Sequence, residues 1–357
     1  MTTYRFSAIK GVQAGKEFYT AMLPLNLIGD LFEDSDPNIP AEFRAQRKLN
    51  KRRIPAIKKY VIDNRNSYVF SALAASIDGN YTFVSLNDDA PDLGVLQVEK
   101  DAVFLINDGQ HRRAAIVEAM KEDETLGKET IAVVFYKDNG LKNSQQMFTD
   151  LNKHAVKTSN SISELYDSTD PLAELTRMVV EKINFFDKYT DREKDNLSKY
   201  SAALFVFNTF YKANKRIVGK DSPPYDIDFV TKYWMKLVEC VDVWADLETG
   251  SISKVKLRSD YLICQSVVIE ALGEVGNYFY NNRTKWEQIF SEIKNVDWRR
   301  NNPIWKYRCI KDNNKMVKSE KSICLTANAI KIQLGASLDE EEQYREFEIR
   351  RIGKNHE

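Results

Sequence analysis

The run Asn107-Asp108-Gly109-Gln110-His111-Arg112-Arg113 gathers groups that can hold an anion. It follows the apolar segment Phe104–Ile106 and precedes an Ala-rich amphipathic stretch, so it reads as a strand-to-helix junction. The start of a helix carries unpaired N–H groups and a partial positive charge, which suits a phosphate. Gly109 would let the backbone approach a ligand closely. Arg112 or Arg113 could add bidentate contacts to phosphate oxygens. Two successive helical residues cannot face one point, so one arginine is expected on the ligand and the other on solvent or an acid. His111 could donate or accept beside the same anion, and Asp108 is expected as the N-cap. Asp108, Gly109, Gln110, His111, Arg112 and Arg113 are therefore the candidate phosphate- or nucleotide-binding residues. The run has too few spaced glycines for a P-loop or a dinucleotide fingerprint. The plain alternative is a capped surface helix with a basic first turn.

A second cluster lies between Glu42 and Lys59, which holds eight Arg or Lys and one acid. Arg44, Arg47, Lys48, Lys51 and Arg52 recur at intervals of three and four, so a helix would align most of them. Arg53 and Lys58, flanking Pro55, extend the footprint. These residues are candidate DNA contacts, since such a face can neutralise several phosphates. Nothing in them separates phosphate contacts from base contacts. A third cluster is Asp150-Leu-Asn-Lys-His-Ala-Val-Lys-Thr-Ser159. Asn152, His154, Lys157 and Ser159 could close a pocket beside the first run. Capping and surface solvation are the bland reading of the same residues.

The elements that must position these groups follow from periodicity. Residues 4–23, with Gly-containing turns between aromatic and aliphatic pieces, suit a hairpin, and "PLNLIGDLF" a short helix. Pro40 opens a helical pattern running to about Asn50, and Pro55 fits the first turn of another helix. "FSALAASIDG", "GNYTFVSL", "LGVLQVE", "AVFLI" and "TIAVVFYKD" read as strands, with a helix after the Gly109 run and another at "NSQQMFTDLN". Strands alternating with helices predict an α/β (or α+β) domain over residues 1–165. Ser161-x-x-Glu164 suggests a capping box, and Asp170-Pro171 an N-cap and first helical residue. Helical spacing then dominates, in "SKYSAALFVFNTFYKA", "DFVTKYWMKLVECVDVWADL", "YLICQSVVIEALGEVGNYFY" and "WEQIFSEIKNV". A mainly helical domain over 166–330 and a charged C-terminal tail over 331–357 are expected.

Composition bounds the rest. The 357 residues are 43% hydrophobic, enough for a substantial core, and no run of about 18 apolar residues suggests a membrane span. The N-terminal segment lacks a basic stretch followed by a long apolar one, so a secretory signal is not expected. Cys240, Cys264, Cys309 and Cys324 are widely spaced and read as reduced thiols of a cytoplasmic protein. His111, His154 and His356 make no metal-ligand spacing with them, so no metal site is expected. The 52 basic and 52 acidic side chains balance, which argues against a nucleic-acid coat but permits a local basic patch.

"NDGQHRRAAI", "AQRKLNKRRIPAIKKYV", "FSALAASIDG" and "LNKHAVKTSNSISELYD" together resemble the DGQHR-domain proteins, and among them the DndB family of DNA-sulfur-modification proteins. The resemblance implies a fold similar to the ParB/sulfiredoxin superfamily. There a Gly-x-[His/Arg]-Arg box at a helix start binds nucleotide phosphates, which falls on Gly109, Gln110, His111 and Arg112. Gln110 stands where sulfiredoxin carries its reactive cysteine, so thiol chemistry of that kind is not expected. The resemblance implies a DNA-binding regulator of bacterial DNA phosphorothioation genes, a phage-defence setting, with promoter duplex DNA as partner. One rival is an ATPase-like component that binds ATP or another nucleotide with magnesium, drawing on Asp108, Glu118 or Asp150. Another is an interaction module that self-associates or binds the modification enzymes, with Tyr233, Trp234, Trp244 and Tyr261 as its surface.

Overall fold

A computed structural model describes residues 3–32, 49–138, 140–153, 158–198 and 200–354. The chain divides into two compact units, Met1–Val156 and Lys157–Glu357.

The first unit is built on a seven-stranded mixed sheet. Strands β1 (Thr3–Gln13) and β2 (Lys16–Pro24) form the expected hairpin. Its turn places Ala14 and Gly15 at positive φ, a geometry that tight hairpins use and glycine accepts at no steric cost. Helix α1 (Leu25–Leu31) follows, then α2 (Ile54–Asp63), β3 (Leu73–Asp78), β4 (Tyr81–Asn87), β5 (Ala90–Glu99) and β6 (Val103–Asp108). Helix α3 (Gln110–Met120), β7 (Thr130–Lys137) and α4 (Leu141–Lys153) complete the unit. The sheet order is β4-β5-β1-β2-β7-β3-β6. Only β3 and β7 pair in parallel; every other ladder in the sheet is antiparallel. The alternating strand and helix pattern thus yields an α+β arrangement rather than a parallel α/β one, since five of the six ladders of the sheet are antiparallel.

Alternation within the strands buries one face. Phe6, Leu23, Leu73, Leu96, Phe104 and Phe135 share one core with Ile28 and Leu31 of α1 and Ile116 and Ala119 of α3. Phe6 stacks on Phe135 at a ring-centroid distance of 5.7 Å, and Phe32 meets Phe104 edge-on at 6.1 Å. The opposite face of β3 and β6 carries Ser76 and Asn107, where the Asn107 amide meets Met147 of α4 at 3.0 Å.

The second unit is mainly helical. It comprises α5 (Asn160–Tyr166), α6 (Pro171–Lys182), α7 (Asn184–Tyr189), α8 (Phe207–Val218), α9 (Ile227–Cys240) and α10 (Asp242–Glu248). Then come α11 (Lys254–Asp260), α12 (Ser266–Asn281), α13 (Trp286–Phe290), α14 (Glu320–Gln333) and α15 (Glu340–Lys354). Asp170 caps α6 ahead of Pro171, as the sequence predicts. Several expectations are corrected. The N-cap of α5 is Ser159, not Ser161, whose hydroxyl instead donates to the Lys194 carbonyl at 2.8 Å. Residues 227–248 form two helices, broken at Val241 with φ −99° and ψ 89°, without any glycine or proline to signal it. Helix α8 begins only at Phe207, since Phe205 and Val206 pair with Thr190 and Asp191 as short strands. Tyr233, Trp234 and Trp244 are core residues rather than a surface, each at most 1% exposed. The expected tail holds α15, tied down by Lys331–Glu342 at 2.6 Å and Arg308–Glu346 at 2.5 Å. The four cysteines are free thiols.

Among the described residues no helix is long and apolar enough to cross a membrane, and no metal-binding cluster of His, Cys, Asp or Glu occurs.

Candidate functional site

The β6–α3 junction turns on Gly109, the N-cap of α3, at φ +102° and ψ 13°. This left-handed conformation is one that side chains rarely tolerate. A Cβ here would also stand 2.4 Å from Leu73 Cδ2. Glycine is thus required by the turn and by the core beneath it. The expected N-cap, Asp108, is still in the strand, and no side chain caps α3. The Asp108 carboxylate reaches one helical turn forward and pairs with Arg112 at 2.6 Å.

Arg112 is heavily bonded. Its Nη1 donates to the Ser71 carbonyl at 2.6 Å, to the Ala72 carbonyl at 2.9 Å and to the Ser71 hydroxyl. These acceptors lie in the irregular segment leading into β3. An arginine fork fits this task because several N–H groups in one plane can serve carbonyls that no ladder satisfies. Arg113 turns the other way and donates to the Gly29 carbonyl at 3.0 Å and to the Phe32 carbonyl, closing the end of α1. His111 Nε2 accepts the backbone N–H of Asn50 at 3.1 Å. The two arginines and the histidine therefore fasten three separate segments around α3.

The segment held by His111 is the described part of the basic cluster. Asn50 caps a 3₁₀ turn, Lys51–Arg53, through a bond from Arg52 N–H to its Oδ1 at 3.2 Å. Lys51, Arg52 and Arg53 are exposed, and among the described residues none has an ion-pair partner within 4 Å. The turn leads directly into α2, where Pro55 takes the early helical position expected of it. Lys58 is drawn into an ion pair with Glu122 at 2.7 Å, beyond the end of α3. Arg44, Arg47 and Lys48 lie outside the described residues.

The far end of α2 is anchored by a cluster that the sequence does not advertise. Arg65 pairs with Asp123 at 2.7 Å and with Glu129 at 2.6 Å, and its Nη2 donates to the Thr125 hydroxyl at 3.2 Å. Tyr68 donates its hydroxyl to Glu129 as well. The Thr125 hydroxyl and amide, with Arg65, hold Asp123 below the usual carboxylate range. Partial burial pushes Glu129 upward, but Tyr68 and Arg65 outweigh it and leave Glu129 lowered. The signal for these residues was only a scatter of charges about sixty positions apart, which no local spacing connects.

At the junction, buried Asn107 Oδ1 and Gln110 Nε2 have no hydrogen-bond partner among the described residues. The Asn107 amide nitrogen is already used on the Ser76 hydroxyl at 2.5 Å. Of the residues expected to close a pocket here, Asn152 lies on α4, while His154 and Lys157 fall outside the described residues. Ser159 belongs to the second unit, where its hydroxyl caps α5 by accepting from Ile162 N–H at 3.1 Å.

The family model for DndB, DNA-sulfur modification-associated, matches residues 6–337. The chain belongs to this family, and with it to DNA sulfur modification. No curated protein and no solved structure matches it.

Two predictions follow from the bonding. Arg112→Lys should lower the stability of the first unit by about 1.5–3 kcal/mol, since one ammonium cannot serve Ser71, Ala72 and Asp108 together. Gly109→Ala should lose about 1–3 kcal/mol to backbone strain alone, before the Leu73 clash. Urea unfolding measures both, and wild-type midpoints would show that the junction is not a clamp. The second prediction concerns acid. Asp123 and Glu129 sit below their ordinary values of 3.8 and 4.5 in the folded chain. Their contribution to stability is whole above about pH 4.5 and is lost as pH falls through the lower folded values. Arg65→Met should flatten this acid limb of a melting-temperature profile while costing stability at neutral pH. An acid limb identical to wild type would remove the cluster from the account.

Proposed function

We propose that this DndB-family chain is a duplex-DNA-binding regulator of the DNA phosphorothioate modification genes. The observation that carries the reading is the bond from Asn50 N–H to His111. It sets three exposed cations that are unpaired among the described residues, Lys51, Arg52 and Arg53, at the start of a helix anchored at both ends. A cationic turn held on a rigid support loses little freedom when it meets a phosphate backbone. Such contacts supply affinity and register, while base reading belongs to other groups. Family membership places the chain beside DNA chemistry and so favours DNA as the polyanion.

A second reading keeps the nucleotide ligand. It is favoured by the uncapped start of α3 and by Gln110 Nε2, which is buried without a partner among the described residues. On this reading the backbone amides and Gln110 hold the phosphate. Arg112 and Arg113 stay on their carbonyls, and any magnesium arrives with the nucleotide. Calorimetry with ATP and magnesium on wild type and Gln110→Leu separates the readings, since only a nucleotide site gives heat that the variant loses.

Replacing Lys51, Arg52 and Arg53 together with Ala should weaken binding to promoter and unrelated duplex alike. If each meets one phosphate, the slope of log affinity against log salt falls by roughly 2 to 3 units, at about 0.9 per phosphate. Anisotropy titrations across a salt series measure this, with circular dichroism confirming the fold. A folded variant with the wild-type slope would move the DNA surface elsewhere.

A further inference from the structure

Residues 299–321 of the second unit hold eight Arg or Lys against two acids, in a chain whose charges balance. Two of the eight are spent inside the fold, Arg308 on Glu346 at 2.5 Å and Lys318 on buried Glu270 at 2.6 Å. The middle of the segment folds as a hairpin. Ile310 and Met316 form an antiparallel bridge, and Val317 N–H donates to the Cys309 carbonyl at 2.9 Å. Asn314 N–H closes the turn on the Lys311 carbonyl at 2.9 Å, and Lys311 N–H returns to the Lys315 carbonyl at 3.0 Å. Asn314 stands at φ +58°, the left-handed position that a three-residue hairpin loop needs and asparagine tolerates.

The base of this hairpin is fixed and its tip is bare. Cys309 and Ile310 are buried, and so is Trp305 just before them, stacked on Trp298 at a ring-centroid distance of 5.5 Å. The Trp305 indole N–H donates to the Asp297 carbonyl at 3.0 Å, and the Arg300 guanidinium braces the tip by donating to the Asn314 carbonyl at 3.3 Å. Residues 311–315 are exposed throughout. Lys311 and Lys315 on the hairpin and Lys321 in the first turn of α14 are exposed, and among the described residues none has an ion-pair partner within 4 Å. Lys311 and Lys321 line one hollow of about 470 Å³, with Asp312 its one carboxylate, so hairpin and helix present their charge together. Asp312 lies 3.4 Å from Lys306, and Glu320 holds Arg216 of α8 at 2.8 Å. Even with Asp312 and Glu320 counted as full charges, Lys306, Lys311, Lys315 and Lys321 leave this surface positive.

We propose that the hairpin is a second contact surface for duplex DNA, carried by the helical unit, with Lys311, Lys315 and Lys321 on the phosphate backbone. The inference rests on the reading that the chain binds duplex DNA and adds a surface to it. Cations on a braced tip lose little freedom when they meet a phosphate backbone. Duplex phosphates recur every few ångströms, so charges spread over a hairpin and a neighbouring helix can each meet one.

The test is an anisotropy titration of the full chain against a labelled duplex across a salt series. Replacing Lys311, Lys315 and Lys321 together with Gln should lower the slope of log affinity against log salt by roughly 2 to 3 units, at about 0.9 per phosphate. These side chains are exposed, so the melting temperature should match wild type. The triple variant with Arg at the same positions should keep the wild-type slope, because it keeps the charge. Combining the Gln variant with Ala at Lys51, Arg52 and Arg53 should lower the slope by the two separate losses together. A folded Gln variant with the wild-type slope would overturn the proposal. If the basic-turn variant still loses slope in that case, the DNA reading stands without the hairpin. A loss that the Arg variant shares would also overturn it, since charge would not be the cause. A wild type that binds no duplex would overturn both readings.

Discussion

The first unit depends on how α3 satisfies backbone groups that no regular element can reach. The segments ending α1 and leading into β3 present carbonyls outside any ladder, and partly buried carbonyls without partners are costly. Arg112 serves Ser71 and Ala72, and Arg113 serves Gly29 and Phe32. Because the two arginines are adjacent on a helix, they point to different sides, and this divergence lets one short run hold two segments. Asp108 balances the charge of Arg112 from the end of the neighbouring strand. The whole arrangement requires α3 to start abruptly after β6, which is why Gly109 stands at φ +102°.

This division of labour changes the meaning of the run. Groups that look suited to a ligand are occupied with the protein itself, and what remains for a ligand is the helix start and Gln110. The basic turn gains a different importance. His111 joins it to α3, Lys58 joins α2 to Glu122, and Arg65 closes the far end on Asp123 and Glu129. Lys51, Arg52 and Arg53 stand outside that network, and on the proposed reading they are the ones that meet the DNA backbone.

Much of the fold was legible from periodicity. The hairpin, the strands and α3 each have a local cause in alternation, turn residues or helical spacing. Sheet order was not legible, because the parallel pairing of β3 with β7 depends on strands sixty residues apart. The N-cap was misplaced by one residue, since Asp108 is the usual capping type but Gly109 alone can take the required φ. The partners of Arg112 and Arg113 are main-chain carbonyls, and a carbonyl looks the same at every position of a sequence. The break at Val241 had no punctuating residue at all.

The central claim is that His111 acts on DNA binding by positioning Lys51, Arg52 and Arg53 rather than by touching the ligand. A double-mutant cycle tests it most directly, comparing His111→Ala in the wild-type background and in the background where the three cations are already Ala. The account predicts that His111→Ala weakens duplex binding in the first background and changes nothing further in the second. Equal losses in both backgrounds would mean that His111 and the basic turn act independently, and would contradict it.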